Sequence, residues 1–273
     1  MRSATPPTAK TRAMKVRSKD GTAIAFDRTG EGPPVILVLG AFNDRASGAP
    51  LAQALAPQFS VIAYDRRGRG ESGDTAPYAV EREVEDLEAL VSEAGGSAFA
   101  FGHSSGAALA LEAARSLAIT KLALYEPPFI VDDSRPPLPA DYVAQLRTLA
   151  SSGRRGDAVE YFMTNAAQVP AEVIAGMRKD PSWAALEAMA HTLAYDGAVM
   201  GDTMSGQPLP TTRWARVTAP TLVMNGSKSP AYQKNSVRAL VAALPNAQQR
   251  TLEGQDHGAA PEVLVPVLKE FFR

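Results

Sequence analysis

Val35-Ile36-Leu37-Val38-Leu39 is an unbroken apolar run rich in β-branched side chains. That is the pattern of a strand buried on both faces, as in a parallel sheet. Shorter runs of the same kind at 61–64, 98–101, 121–125 and 221–224 predict four more strands, and 248–252 predicts a last one. Near the start, weak alternation over 14–18 and a second short run over 22–28 flank Asp20-Gly21, which predicts a hairpin. Helical periodicity fills the gaps. The segment 51–56 reads as a short helix stopped near Pro57. Over 80–94, Val80, Val84, Leu87, Leu90 and Val91 share one face with acids outward, and Gly95-Gly96 ends the helix. An Ala- and Leu-rich stretch at 105–117 predicts a buried helix, and 232–244 and 261–272 predict two more. Strand and helix alternating in this way predict an α/β fold: a mostly parallel, doubly wound sheet with helices on both faces.

The alternation stops after Pro127 and resumes at Thr221. In between, Pro and Gly punctuate helical segments at 142–150, 158–167 and 184–193, with no buried strand run. This predicts a helical cap over 127–212, inserted into a core formed by 14–126 and 213–273. Residues 1–13 are basic and polar with Pro6-Pro7, and they lack the apolar stretch of a secretory signal, so a disordered lead-in is expected there.

Composition narrows the function classes. A net charge of −1 argues against a nucleic-acid partner, because the one dense basic cluster is Arg66-Arg67 with Arg69. Those arginines, in a Gly-rich turn, are expected to form a solvated or salt-bridged loop. There is no cysteine, which excludes a disulfide framework, a thiolate metal site and a Cys nucleophile. Cysteine-free composition suits a cytoplasmic location. No apolar run approaches the roughly 18–20 residues of a membrane span. Histidines do not cluster at metal-ligand spacing, and Arg67-Gly68-Arg69-Gly70 lacks the spacing of a dinucleotide fingerprint, so neither a metal nor another cofactor is expected.

The segment that carries chemistry is Gly102-His103-Ser104-Ser105-Gly106. A bare G-x-S-x-G is common, but here it sits between a predicted strand and a predicted helix, where the chain must reverse sharply. Glycines on either side let neighbouring backbone approach the serine. Ser104 is then exposed at a helix N-terminus, whose dipole favours a developing anion. A serine hydroxyl needs a base, and His257 follows the last predicted strand. His103 is expected to be structural. Two backbone amides should hold an oxyanion: that of Ser105, and one from the loop Gly40-Ala41-Phe42, with Ala41 favoured and Phe42 adjacent.

Together these features resemble the α/β-hydrolase superfamily, in particular small bacterial esterase-like members with a helical cap. The resemblance rests on Leu39-Gly40 after the first buried strand, on Tyr64-Asp65-Arg66-Arg67-Gly68-Arg69-Gly70-Glu71-Ser72, on the Ser104 turn and on Gly254-Gln255-Asp256-His257. It implies a Ser–acid–His triad. Two positions depart from the family pattern. Leu39 stands where a histidine is frequent. Ser229 stands where the acid usually follows the strand after the cap. Some members take the acid from the preceding strand, and the carboxyl edge of a parallel sheet is where such sites are built, which points to Glu126. Asp132 and Asp133 are second choices, and Asp256 is too near His257 in sequence to reach its ring easily.

Phe42, Phe129, Trp183 and His191 are expected to line a substrate pocket between cap and core. Tyr161, Phe162, Met189 and Met200 are further candidates. The resemblance implies a serine hydrolase cleaving a carboxylic ester, thioester or lactone of an apolar small molecule. The alternatives are C–C bond hydrolysis or cyclisation on the same fold, and a non-catalytic ligand-binding protein. A monomer or homodimer is expected.

Overall fold

The computed structural model describes residues 14–273, so the expectation for 1–13 lies outside the described residues. The hairpin around Asp20-Gly21 forms, with β1 (Met14–Arg17) antiparallel to β2 (Ala23–Thr29). The first buried run becomes β3 (Pro34–Val38). Next come α1 (Arg45–Leu55), β4 (Ser60–Tyr64), α2 (Val80–Glu93), β5 (Ala98–His103), α3 (Ser105–Ala113) and β6 (Ile119–Tyr125). Helix α1 begins six residues before the predicted segment. Its start is set by Asp44, whose side chain accepts the Ser47 amide at 2.9 Å while the Ser47 hydroxyl reaches back to the Asp44 amide. This reciprocal cap satisfies amides that the apolar pattern does not register.

Between β6 and β7 (Thr221–Gly226) the described chain holds helices and no strand. These are α4 (Tyr142–Ser151), α5 (Arg155–Asn165), α6 (Ala171–Met177), α7 (Trp183–Ala188) and α8 (Leu193–Met200). The predicted 184–193 helix is split, with a 3₁₀ turn at Ala190–Thr192 between α7 and α8. Helix α6 follows Pro170, whose missing amide suits a helix start. The chain ends with α9 (Ala231–Ala243), β8 (Ala247–Leu252) and α10 (Pro261–Phe272).

Among the described residues the sheet has eight strands in the order β1-β2-β4-β3-β5-β6-β7-β8, parallel from β4 to β8. Apolar side chains bury on both faces. One core joins α2, α3 and α9 to the sheet through Ile36, Leu90, Leu109, Leu124 and Val237. The other joins α1 and α10 through Leu37, Leu55, Phe101 and Leu268. The insertion has its own cluster, around Leu146, Val159, Trp183 and Leu193. It is tied to the first core by Val199, Met200 and Met204.

The arginine turn after β4 is salt-bridged but not solvated. Arg66, Arg67 and Arg69 are 2%, 1% and 1% exposed. Arg66 grips Glu83 with two bonds of 2.7 Å, and Arg67 grips Asp86 at 2.8 and 2.7 Å. Arg69 pairs with Asp196 on α8 at 2.7 Å. Burial of three guanidinium groups is tolerated because each fork meets carboxylate in bidentate or shared geometry.

Candidate active site

Strand β5 ends at His103 and α3 starts at Ser105, which leaves Ser104 alone on the turn. Its backbone sits at φ 57° and ψ −129°, a strained conformation for a residue with a side chain. The Ser104 hydroxyl makes no cap bond to α3, so a helix-capping role does not account for the residue. The turn closes because Gly106 has no side chain: a Cβ there would lie 2.2 Å from the Val38 carbonyl oxygen. Gly40 faces the other side, where a Cβ would come within 2.8 Å of the Ser104 Cβ. The β3 loop is therefore pressed against the serine by two glycines.

His257 follows β8 and lines the same cavity as Ser104. Its Nδ1 lies 2.8 Å from Glu126 Oε2. Glu126 is fully buried at the carboxyl end of β6 and is held at a positive φ of 47°. Its other oxygen accepts the Gly226 amide at 2.8 Å and the hydroxyl of Ser229. Burial alone would raise the Glu126 pKa, but the bonds from His257, Ser229 and Gly226 hold it below its ordinary value. The carboxylate is thus charged and aimed at the imidazole. Ser229, at the position where an acid is usual, supports the acid on the neighbouring strand. Asp132 instead accepts from Ser134 and Asn235, and Asp256 accepts the Gly258 amide. Ser104 and His257 share the cavity without a direct hydrogen bond among the described residues. Such contacts commonly tighten only when substrate is bound.

His103 lines the same cavity, and its Nε2 donates to the His257 carbonyl at 2.8 Å. Desolvation, aided by the neighbouring His257, lowers its pKa to about 4, so it is a neutral support for the His257 backbone. Ala41, Phe42 and Ser105 also line the cavity. The amides of Ala41 and Ser105 have no acceptor among the described residues. Phe42 adopts a positive φ of 59°. Among the described residues, three of the four non-glycine residues with positive φ (Phe42, Ser104 and Glu126) fall at this one site, the fourth being Gln168. Strain gathered in this way marks a place where geometry is held for chemistry.

The cavity measures about 620 Å³ and lies between the sheet edge and the helical insertion. Phe42 lines it, edge-on to Phe162 at 5.3 Å. The other three expected lining residues sit elsewhere. Phe129 is buried flat against Trp214, with centroids 5.7 Å apart. Trp183 fills the insertion's own core and donates its Nε1 to Glu187. His191 faces Asp74, 3.7 Å away, outside the cavity. Large apolar side chains were as useful for packing helices as for meeting a ligand, and in Phe129 and Trp183 packing prevailed.

Gln233 and Asp196 are among the lining residues that escaped the sequence. Gln233 stands 2.8 Å from His257 Nδ1 through its side-chain amide. One ring nitrogen cannot both donate to Glu126 and accept from Gln233. The charged carboxylate is the stronger acceptor, so Nδ1 carries the proton and the Gln233 amide fits with its oxygen toward the ring. Asp196 lines the cavity from α8, paired with Arg66 and Arg69. Both carried a signal. Gln233 lies on the buried stripe of α9 with Ser236, Val237 and Leu240. Asp196 is the one acid in the apolar helix LAYDGAVM.

A parallel sheet with a strained serine on the strand–helix turn, and a carboxylate-bound histidine at the same edge, defines an α/β hydrolase. The alpha/beta hydrolase family model matches residues 35–267, and the chain belongs to that family; it is a hydrolytic enzyme. An alpha/beta hydrolase from Sphaerobacter thermophilus DSM 20745 is 57% identical, covers 95% of this chain and 100% of that one, and superposes with a TM-score of 0.88. A thermophilic esterase from Thermogutta terrifontis, malate bound, is 23% identical over 96% of this chain and 98% of its own, with a TM-score of 0.70, a likeness of fold. The uncharacterized hydrolase YraK of Bacillus subtilis (strain 168) is 33% identical over 96 residues, 34% of this chain and 35% of that protein. Among the described residues no helix is long and apolar enough to cross a membrane, and no group of three or more His, Asp or Glu is placed to hold a metal ion.

Proposed function

We propose that the chain is a serine hydrolase that cleaves a carboxylic ester, thioester or lactone of an apolar small molecule. The observation that carries this is the buried Glu126 carboxylate 2.8 Å from His257 Nδ1, at the cavity that Ser104 lines. With Nδ1–H donated to Glu126, the opposite ring nitrogen is left with a lone pair. It takes the Ser104 proton as Oγ attacks the carbonyl carbon. The amides of Ser105 and Ala41 receive the negative oxygen, assisted by the N-terminus of α3. The imidazolium then protonates the leaving oxygen or sulfur, which departs and leaves an acyl group on Ser104. Water gives its proton to His257 and attacks the acyl carbon; the bond to Ser104 Oγ then breaks, the imidazolium returns the proton to Oγ, and the carboxylic acid leaves.

The cavity wall favours an apolar acyl or leaving group, since Phe42, Phe162, Leu138, Met200 and Met204 dominate it beyond the reacting groups. A non-catalytic binding module had one point in its favour, the missing acid at position 229. Glu126 removes it.

A panel of nitrophenyl esters and lactones tests the proposal. Wild type should turn over members with apolar acyl groups, and Ser104→Ala should lose at least about 10⁴-fold in kcat while still binding them. Hydrolysis by Ser104→Ala at the wild-type rate would refute it.

A further inference from the structure

Asp196 comes from the helical insertion, yet its partners belong to the two segments that flank the proposed oxyanion site. The residue is 2% exposed, and its carboxylate accepts three hydrogen bonds. Oδ1 accepts Arg66 Nη1 at 2.6 Å and the Ser105 hydroxyl at 2.7 Å, and Oδ2 accepts Arg69 Nη2 at 2.7 Å. Ser105 follows the nucleophile and contributes one of the two amides. Arg69 turns its other nitrogen to the Gly40 carbonyl at 2.6 Å and to that of Asn43 at 3.3 Å. Arg66 reaches the Leu39 carbonyl at 3.4 Å. These three carbonyls bracket Ala41, whose amide is the second donor. The Arg69 Nε bonds to Thr192 at the start of α8, a second tie to the same helix. Glu83 balances the remaining charge on Arg66.

We infer that Asp196 is a positioning residue. Through Ser105 on one side and the Arg66–Arg69 pair on the other, it sets the spacing between the two oxyanion donors, so the site is complete only when α8 is docked. This rests on the serine-hydrolase reading above. The charge balance makes the role specific. Two arginines face two carboxylates, and the cavity sees a carboxylate whose field is cancelled. Asp196 therefore contributes geometry to the oxyanion site without repelling the developing anion.

The test compares wild type with Asp196→Asn and Ser105→Ala. The measurements are ester turnover, the inhibition constant of an apolar trifluoromethyl ketone, which forms an oxyanion adduct with a serine, and fluorophosphonate labelling. For Asp196→Asn, kcat is expected to fall about 10- to 100-fold, with KM within about twofold, because displaced donors act on the transition state. Ketone affinity should fall by a matching factor. A residue that merely stabilised the fold would lower the melting temperature and leave the kcat-to-KM split and the ketone affinity of the folded fraction unchanged. That result, or a kcat raised by the unbalanced arginines, overturns the inference. Should Asp196→Asn not fold, Ser105→Ala decides. It cuts the link to the turn while keeping every charge, and it should show the same split with a smaller loss, about 3- to 10-fold. Wild-type ketone affinity in that variant overturns the inference. Wild type that is neither labelled nor active would refute the hydrolase reading and this role with it. Labelled, active wild type beside unaffected variants would refute the positioning role alone.

Discussion

Glu126 is the residue on which the proposed chemistry turns. Its oxygens are divided between His257 on one side and Ser229 with the Gly226 amide on the other. Glu126→Gln would keep the shape but could offer an amide N–H where an acceptor is needed, favouring the wrong imidazole tautomer. Activity toward nitrophenyl esters should fall by about 10³- to 10⁴-fold, with KM little changed. A rate within tenfold of wild type would reassign the acid. Ser229→Ala should be milder, about 3- to 30-fold, since it removes one of three bonds to the carboxylate. Ser104 and His257 were legible from sequence because each sits in a short local pattern, a strand–turn–helix and a segment after the last strand. Glu126 was reached through the resemblance, some members of which take the acid from this earlier strand, and by its place at the end of a strand. Its pairing with Ser229 spans 103 residues and has no local signature.

The elements that sequence predicts best are the strands, because burial on both faces leaves an uninterrupted apolar run and few alternatives. Helices were harder where capping or punctuation set the ends. Asp44 started α1 ahead of its apolar stripe, and the 184–193 helix broke where the chain turns into α8. The close packing of α3 on β3 shows what one position can require of an element. Gly106→Ala would drive a methyl group into the Val38 carbonyl. Helix α3 would have to move off the sheet, carrying Ser104 and the Ser105 amide with it. We expect a loss of about 1–3 kcal/mol in denaturant unfolding, as for overpacking elsewhere, together with a disproportionate loss of turnover. Full activity at reduced stability would show that the turn tolerates the shift.

Taken as a whole, the molecule stores buried charge that makes it sensitive to acid. His103 titrates near 4 when folded, against 6.5 ordinarily, chiefly through desolvation, and burial lowers His191 in the same sense. Between those limits the unfolded chain binds protons that the folded one does not. Stability should therefore fall as pH drops from about 6.5 toward 4, by up to ~1.4 kcal/mol per pH unit from His103, with His191 acting in the same direction. Glu126 and Asp196 are lowered carboxylates, the latter by Arg69 and Arg66 acting against its burial. Their contribution is full above the ordinary carboxylate range and is lost in stronger acid, as pH falls through their lowered values. Urea unfolding at pH 7, 5.5 and 4.5 should show the first decline, and His103→Gln should flatten it in part. An unaltered slope in that variant would exclude His103 as a source. None of these networks could be read in advance, since their members are dispersed: Arg66 and Asp196 are 130 residues apart. Sequence shows only that the arginine turn needs counterions and that a lone acid sits in an apolar helix.

The docking of α8 also bears on how a substrate enters. Lifting that helix would strip a carboxylate from two buried arginines, at a cost of several kcal/mol. The ion pairs around α5 and α6 are exposed and run within the insertion, from Arg154 and Arg178 to Asp157 and Glu160. Pairs of that kind contribute little. The end of α5 is held differently, by the buried Arg135, which donates to the Asn165 and Ala166 carbonyls at 2.6 and 2.9 Å. Any route that leaves α8 seated keeps the Asp196 pairs, and with them the proposed donors, intact.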